Sequence, residues 1–232
     1  MKRLLFSIFR VVGSLALFSF LIQLLWISMG ISKEGGDLTI ARLKYSGGGD
    51  WYNDPSIIPN LARELNRRTT VRANEEQAIL SLSDEALFRF PFLYITGHGN
   101  IVFTEKEMER LRNHLTHGGF LYADDDYGMD PYFRREMKKV FPDKEFVELP
   151  FDHPIYHLLY PFPEGLPKIH KHDNKPPKGY GLFHEGRMIV YYTYETNISD
   201  GWADPHVHND PEEKREEAFQ MGINIVLYAL TH

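Results

Sequence analysis

The sequence contains no cysteine. That absence excludes disulfides, thiolate zinc sites and cysteine nucleophiles together, and it is compatible with either side of a membrane. Positive charge is not in excess either. With 26 Lys and Arg against 32 Asp and Glu, a net charge of −6 and a pI near 6.0, the chain carries no electrostatic footprint for nucleic acid. Nor is it poor in apolar residues: 43% hydrophobic against 25% charged over 232 residues excludes a wholly disordered protein. One well-buried domain with appendages is the expectation, and the 14% aromatic content points to large rings in its core and loops.

One long hydrophobic run is present. Positions 11–31 carry no charge and are interrupted only by Gln23, which matches the ~20 residues a helix needs to cross a bilayer. Lys2, Arg3 and Arg10 precede the run, while Lys33 and Glu34 cancel just after it. A cleavable signal peptide is the rival reading, but the run is long for one and lacks an Ala-x-Ala exit. The expectation is therefore a cytoplasmic N-terminus (1–10), a transmembrane anchor (11–31), a linker (32–37) and an α/β domain (38–232). By the positive-inside rule this is a single-pass inner-membrane protein with its domain in the periplasm and the membrane as partner through the N-terminal helix.

The domain opens with Leu38 to Tyr45, whose alternation predicts a strand, broken by Ser46-Gly47-Gly48-Gly49-Asp50-Trp51-Tyr52-Asn53. This glycine-rich turn is either a tight turn or an anion cradle, and it lacks the spacing of a P-loop. Asp54-Pro55, Asp130-Pro131 and Asp210-Pro211 each precede a helical apolar pattern, so these acids read as caps. Thr104 and Glu107 form a capping-box pattern for the helix of Met108, Leu111 and Leu115. That helix lies between the apolar runs Phe92–Thr96 and Phe120–Ala123, which predicts a parallel crossover unit covered on both faces.

From 145 to 177 proline recurs at 150, 154, 161, 163, 167, 176 and 177, which predicts an irregular excursion with a short helix near His153 to Leu159. Long irregular excursions in compact domains tend to be lids or binding loops. Gly181–His184 and Met188–Tyr194 predict two strands joined through Glu185-Gly186, before the loop Glu195 to Trp202 and the last helix.

Four runs carry a family resemblance: Arg42 to Tyr52, Tyr94-Ile95-Thr96-Gly97-His98-Gly99-Asn100, Gly118 to Asp125, and His208-Asn209-Asp210-Pro211. In this order they are similar to the bacterial domain of unknown function 4159 family, over residue 38 to the C-terminus. More distantly the pattern resembles class I glutamine amidotransferase-like and trehalose-utilisation-like α/β domains. That resemblance implies a three-layer, flavodoxin-like, mainly parallel sheet, here preceded by one transmembrane helix. In amidotransferases the strand after the Gly-Gly turn ends at an elbow bearing a cysteine. Here Asp124-Asp125-Asp126-Tyr127-Gly128 stands in its place, so cysteine-dependent amidotransferase chemistry is excluded.

Loops at the ends of parallel strands converge on one sheet edge. The ligand-binding candidates are Gly47, Gly48, Gly49, Asp50, Trp51, Gly97, His98, Asn100, Asp125 and Tyr127; the catalytic candidates are His98, Asp124, Asp125 and Asp126. Successive residues of a strand face opposite ways, so the three carboxylates cannot all serve one site. Asp125 is the first choice, with His98 as its neighbour. His153, His157, His170, His172 and Asp173 form a second polar cluster, in which His170-x-His172 either chelates a transition metal on an extended backbone or, the favoured reading since no cysteine and no H-x-x-x-H accompanies it, is solvated; His206-x-His208 near Asp204 and Asp210 reads the same way. Trp51, Tyr52, Tyr127, Tyr180 and Trp202 either line a pocket for a sugar ring or peptide or shield loop packing.

Two functions stay open. One is a non-thiol ligand-binding or assembly module of an envelope complex, with an envelope protein, sugar or peptide as ligand. The other is a hydrolase, metal-dependent or carbohydrate-directed, using Asp and His at the strand ends. The sequence names no cofactor.

Overall fold

Strands buried along their whole length need cover on both faces, and two apolar strands at the centre of the sheet satisfy that condition. In the computed structural model, which describes residues 38–232, β3 (Phe92–Gly97) and β4 (Phe120–Asp125) are buried at every position. With β1 (Ala41–Leu43), β2 (Ala78–Leu80), β5 (Val147–Glu148), β6 (Lys178–His184) and β7 (Arg187–Tyr194) they form a seven-stranded sheet of order β2-β1-β3-β4-β7-β6-β5. β2, β1, β3, β4 and β7 run parallel.

The sheet is mixed, which corrects the mainly parallel expectation. The tight turn at Glu185-Gly186 forces β6 antiparallel to β7, and β5 then adds antiparallel to β6 at the edge. The flavodoxin-like reading also came with a transmembrane helix. The expected span, 11–31, lies outside the described residues, and among the described residues no helix is long and apolar enough to cross a membrane. None of the described helices supplies the expected anchor, and the single-pass topology, the periplasmic placement and the membrane partner are not carried further.

Alternation along each strand divides the core in two. Phe92, Tyr94, Phe120, Tyr122 and Tyr191 face a layer built from α1 (Ile57–Arg68) and α5 (Glu212–Thr231). Leu93, Ile95, Leu121, Ala123 and Val190 face α2 (Glu105–Thr116) and α3 (Asp130–Val140). α2 starts at the expected capping box: the Thr104 hydroxyl accepts from the Glu107 amide, and the Glu107 carboxylate accepts from the Thr104 amide.

The three Asp-Pro acids do not cap. Asp54 has φ +42 and turns its carboxylate to His208; Asp130 accepts from Arg134 and from the Tyr192 hydroxyl; Asp210 accepts from His170. The excursion is irregular as expected, with a single 3-10 turn at Pro154–Tyr156.

Candidate functional site

The chain leaves β1 in one direction to β2 and in the other to β3, so the loops after β1 and β3 diverge at a topological switch point. Asp50 follows β1, and His98 follows β3. The Asp50 carboxylate accepts from the His98 backbone amide and lies 3.1 Å from His98 Nδ1. The approach is close enough to require glycine: Gly97 sits at φ +134, and a Cβ there would collide with the Tyr45 hydroxyl. Gly47, Gly48 and Gly49 continue this crossing, with Gly49 donating to the Asn100 carbonyl and the Asn100 side chain donating to the Gly47 carbonyl. Trp51 packs edge-on against Tyr52 at 5.5 Å.

The three carboxylates at the end of β4 part company, as the pleat requires. Asp124 is fully buried and spent on structure: its oxygens accept from Thr193 Oγ1, and from the amide and hydroxyl of Ser199 at 2.7 Å each. Burial pushes its carboxyl up to about 6 despite those bonds. Asp125 faces the other layer and caps the turn into α3 by accepting from the Met129 amide at 2.8 Å; burial pushes it up to about 7. His98 is thus paired with Asp50 and lies 3.5 Å from Asp126, and no bond joins it to Asp125 among the described residues.

Asp126 is the carboxylate that enters a larger cluster. It accepts from the Asn53 side chain and, at 2.8 Å, from Asn197 Nδ2, which also reaches Asp200 at 3.1 Å. Asp200 in turn stands 2.8 Å from His170 Nδ1 and 3.8 Å from His208 Nε2. The far nitrogen of His170, Nε2, lies 2.8 Å from Asp210, and His208 Nε2 lies 2.7 Å from Asp54. The ligand atoms of His170, Asp200 and His208 all lie within 4.8 Å of one another, and so do those of Asp54, Asp126 and Asp200. Two imidazoles and several carboxylates at such spacing suit a divalent cation.

These groups come from loops far apart in sequence, and packing brings each one in. Arg42, buried on β1, donates to the carbonyls of Trp51, Asn53 and Asp54 and so fixes the loop that holds Asp54. Trp202 anchors the 3-10 turn Ser199–Trp202 and hence Asp200: it packs on Tyr94 and Tyr122 and donates to the Ala218 carbonyl. A Cβ at Gly222 would meet the Trp202 ring at 2.5 Å, so α5 needs glycine there. His170 arrives on the proline-rich excursion, its amide bonded to the Thr196 carbonyl, and His208 closes the short helix α4 (Pro205–His208). Tyr127, at φ +77, stacks on His172 at 4.4 Å beside the cluster.

Sequence reasoning had singled out neither Asp200 nor Asn197, and it read Asp54, Asp210, His170 and His208 as caps or solvated side chains. The available signal was the repeated coincidence of His-x-His with an acid in proline-rich loops, at 170–173 and 206–210. The expected envelope-complex module is overturned as well: the loops meet in a His/Asp cluster suited to a metal.

The electrostatics give a pH signature. The hydrogen bond to Asp200 raises His170 to about 9, against partial burial, and the bond to Asp54 raises His208 from its ordinary 6.5. Burial and the neighbouring Asp200 raise Asp126, whereas Asp200 is held low because its bonds and charges from His170 and His208 outweigh its burial. A raised imidazole pKa stabilises the fold fully below the unfolded value and ceases to do so as pH climbs through the folded one. Asp126, raised by burial, acts in the same direction, so the chelator-treated protein is expected to lose stability steadily as pH climbs from 6.5 to 9. Urea melts across that window check this, and a flat profile would show that the two imidazoles do not hold charge against these carboxylates.

No curated protein matches the chain. A family profile described as a domain of unknown function, DUF4159, matches residues 39–230, a stretch that contains the whole cluster, and the chain belongs to that family.

Proposed function

We propose that this protein is a metal-dependent hydrolase. The observation that carries the reading is the convergence of His170, Asp200 and His208, with ligand atoms within 4.8 Å of one another, at the carboxyl ends of the parallel strands. His170 offers Nδ1 to the cluster while Nε2 faces Asp210, the carboxylate–imidazole arrangement that orients a metal-ligating histidine. A bound divalent cation supplies Lewis acidity toward the scissile group.

The remaining chemistry falls to His98. Its Nδ1 faces Asp50, which fixes the tautomer that leaves Nε2 free to take a proton, and its side chain is about half exposed at the rim of the cluster, 3.5 Å from Asp126. Asp50 acts as the orienting carboxylate. Tyr52, next to Asn53, and the Tyr127–His172 stack, next to Asp126, are exposed and favour a substrate with a ring to lay against them, such as a sugar.

The test is chelator-sensitive hydrolysis by the purified protein over a panel of aryl esters, aryl phosphates and aryl glycosides. His98→Gln is expected to lower kcat by ~100-fold or more, with cation affinity unchanged. Full activity in that variant would remove His98 from the mechanism, and no chelator-sensitive turnover on any member of the panel would sink the reading itself.

A further inference from the structure

The cluster contains more oxygen ligands than one cation uses. Asp54, Asp126 and Asp200 form a triad with carboxylate oxygens within 4.8 Å of one another, and it shares only Asp200 with the histidine-containing triad. Two oxygens bound to one Ca²⁺ at roughly 2.4 Å are at most roughly 4.8 Å apart, so this second triad meets the spacing of a hard cation without any imidazole.

An independent observation points to the same place. Asn197 is buried, 1% exposed, and its Nδ2 is committed to Asp126 and Asp200, which fixes the orientation of the amide. Its Oδ1 is then buried with no hydrogen-bond partner among the described residues. Asn53 repeats the pattern on the other oxygen of Asp126: Nδ2 donates to the carboxylate, and Oδ1 is buried without a partner. A buried carbonyl oxygen without a donor is unfavourable. Two of them flanking one carboxylate are acceptors waiting for a positive centre.

We propose that the centre holds two cations: one at His170, Asp200 and His208, and a second, all-oxygen site at Asp54, Asp126, Asp200 and the amide oxygens of Asn53 and Asn197, with Asp200 bridging. The inference rests on the cation-dependent reading of the cluster given above. The ligand chemistry assigns a hard ion, Mg²⁺, Mn²⁺ or Ca²⁺, to the oxygen site and a borderline ion such as Zn²⁺ to the histidine site. Paired cations suit the displacement of a phosphoryl or acyl group, one ion at the attacking oxygen and the other at the leaving oxygen.

Mn²⁺ serves as the probe. Full-length protein stripped with chelator and equilibrated with Mn²⁺ is expected to bind two ions per chain, by elemental analysis, with an exchange-coupled electron paramagnetic resonance spectrum. Zn²⁺ is expected to displace one ion and leave an uncoupled Mn²⁺ signal. Asp126→Asn is expected to halve the stoichiometry and abolish the coupling while keeping the ion at the histidines. A wild-type protein that binds one uncoupled Mn²⁺ overturns the second site and leaves the single-metal hydrolase standing; one that binds none overturns both. The wild-type measurement decides the matter even where the variant fails to fold.

Discussion

Asp200→Asn is expected to weaken divalent-cation binding by at least ~100-fold and to abolish chelator-sensitive hydrolysis. No other residue belongs to both ligand triads, and its two oxygens meet His170, His208 and Asn197. Asparagine keeps the shape but removes the charge, and its amide nitrogen cannot ligate. His170 Nδ1 and Asn197 Nδ2 both meet Oδ2 of Asp200, so an asparagine that keeps its oxygen there turns its NH₂ toward His208. The loss has a thermodynamic readout that needs no substrate. At a cation concentration ~100 times the dissociation constant, binding stabilises the native protein by roughly 2.7 kcal/mol, and in Asp200→Asn that increment should disappear. Thermal melts with and without Zn²⁺ or Mn²⁺ measure it. A variant that still gains the full increment would put the cation somewhere else on the protein.

Arg42→Leu is expected to cost about 3–5 kcal/mol and to take cation binding with it. The guanidinium is buried against Tyr94 and donates to three carbonyls of one loop, at 3.0 Å to Trp51, 2.7 Å to Asn53 and 3.1 Å to Asp54. Leucine fills much of the volume but leaves those acceptors without donors, at roughly 1–3 kcal/mol for each one that stays buried. Asp54 then loses the restraint that keeps it in the left-handed region at φ +42, an uncommon conformation for a non-glycine residue, and its carboxylate leaves the cluster. Arg42→Lys separates the two effects, because an ammonium cannot span three carbonyls in a plane. It should recover part of the stability and little of the cation affinity. Denaturant melts paired with equilibrium dialysis distinguish these outcomes. A stable Arg42→Leu protein with full cation affinity would show that the loop is held by other contacts.

The architecture was legible where local rules and burial agree. Continuous apolar runs identified β3, β4 and β7, and the Thr104–Glu107 spacing located the start of α2, because burial on both faces and capping geometry leave their mark within a few residues. The convergence of loops at one edge followed from parallel strands, and so did the separation of Asp125 from its two neighbours. What stayed hidden was long-range. Asp54, His170 and His208 each sit next to a turn that explains them locally, and only the packed protein shows Asp54 and His208 in contact across the domain. The antiparallel edge was hidden for the opposite reason: the Glu185-Gly186 hairpin was read correctly, but its consequence for the whole sheet was not drawn.

The wide sequence separation of the ligands affects the order of events when the chain folds. Asp54, Asp126 and His170 enter from three separate stretches and Asp200 and His208 from a fourth, so no local segment offers a complete coordination set before the sheet has formed. On the proposed reading, capture of a cation would come late, once the sheet has formed, and its free energy would act on the rate of opening rather than on the rate of closure, so that the ion would serve as a latch on the finished domain.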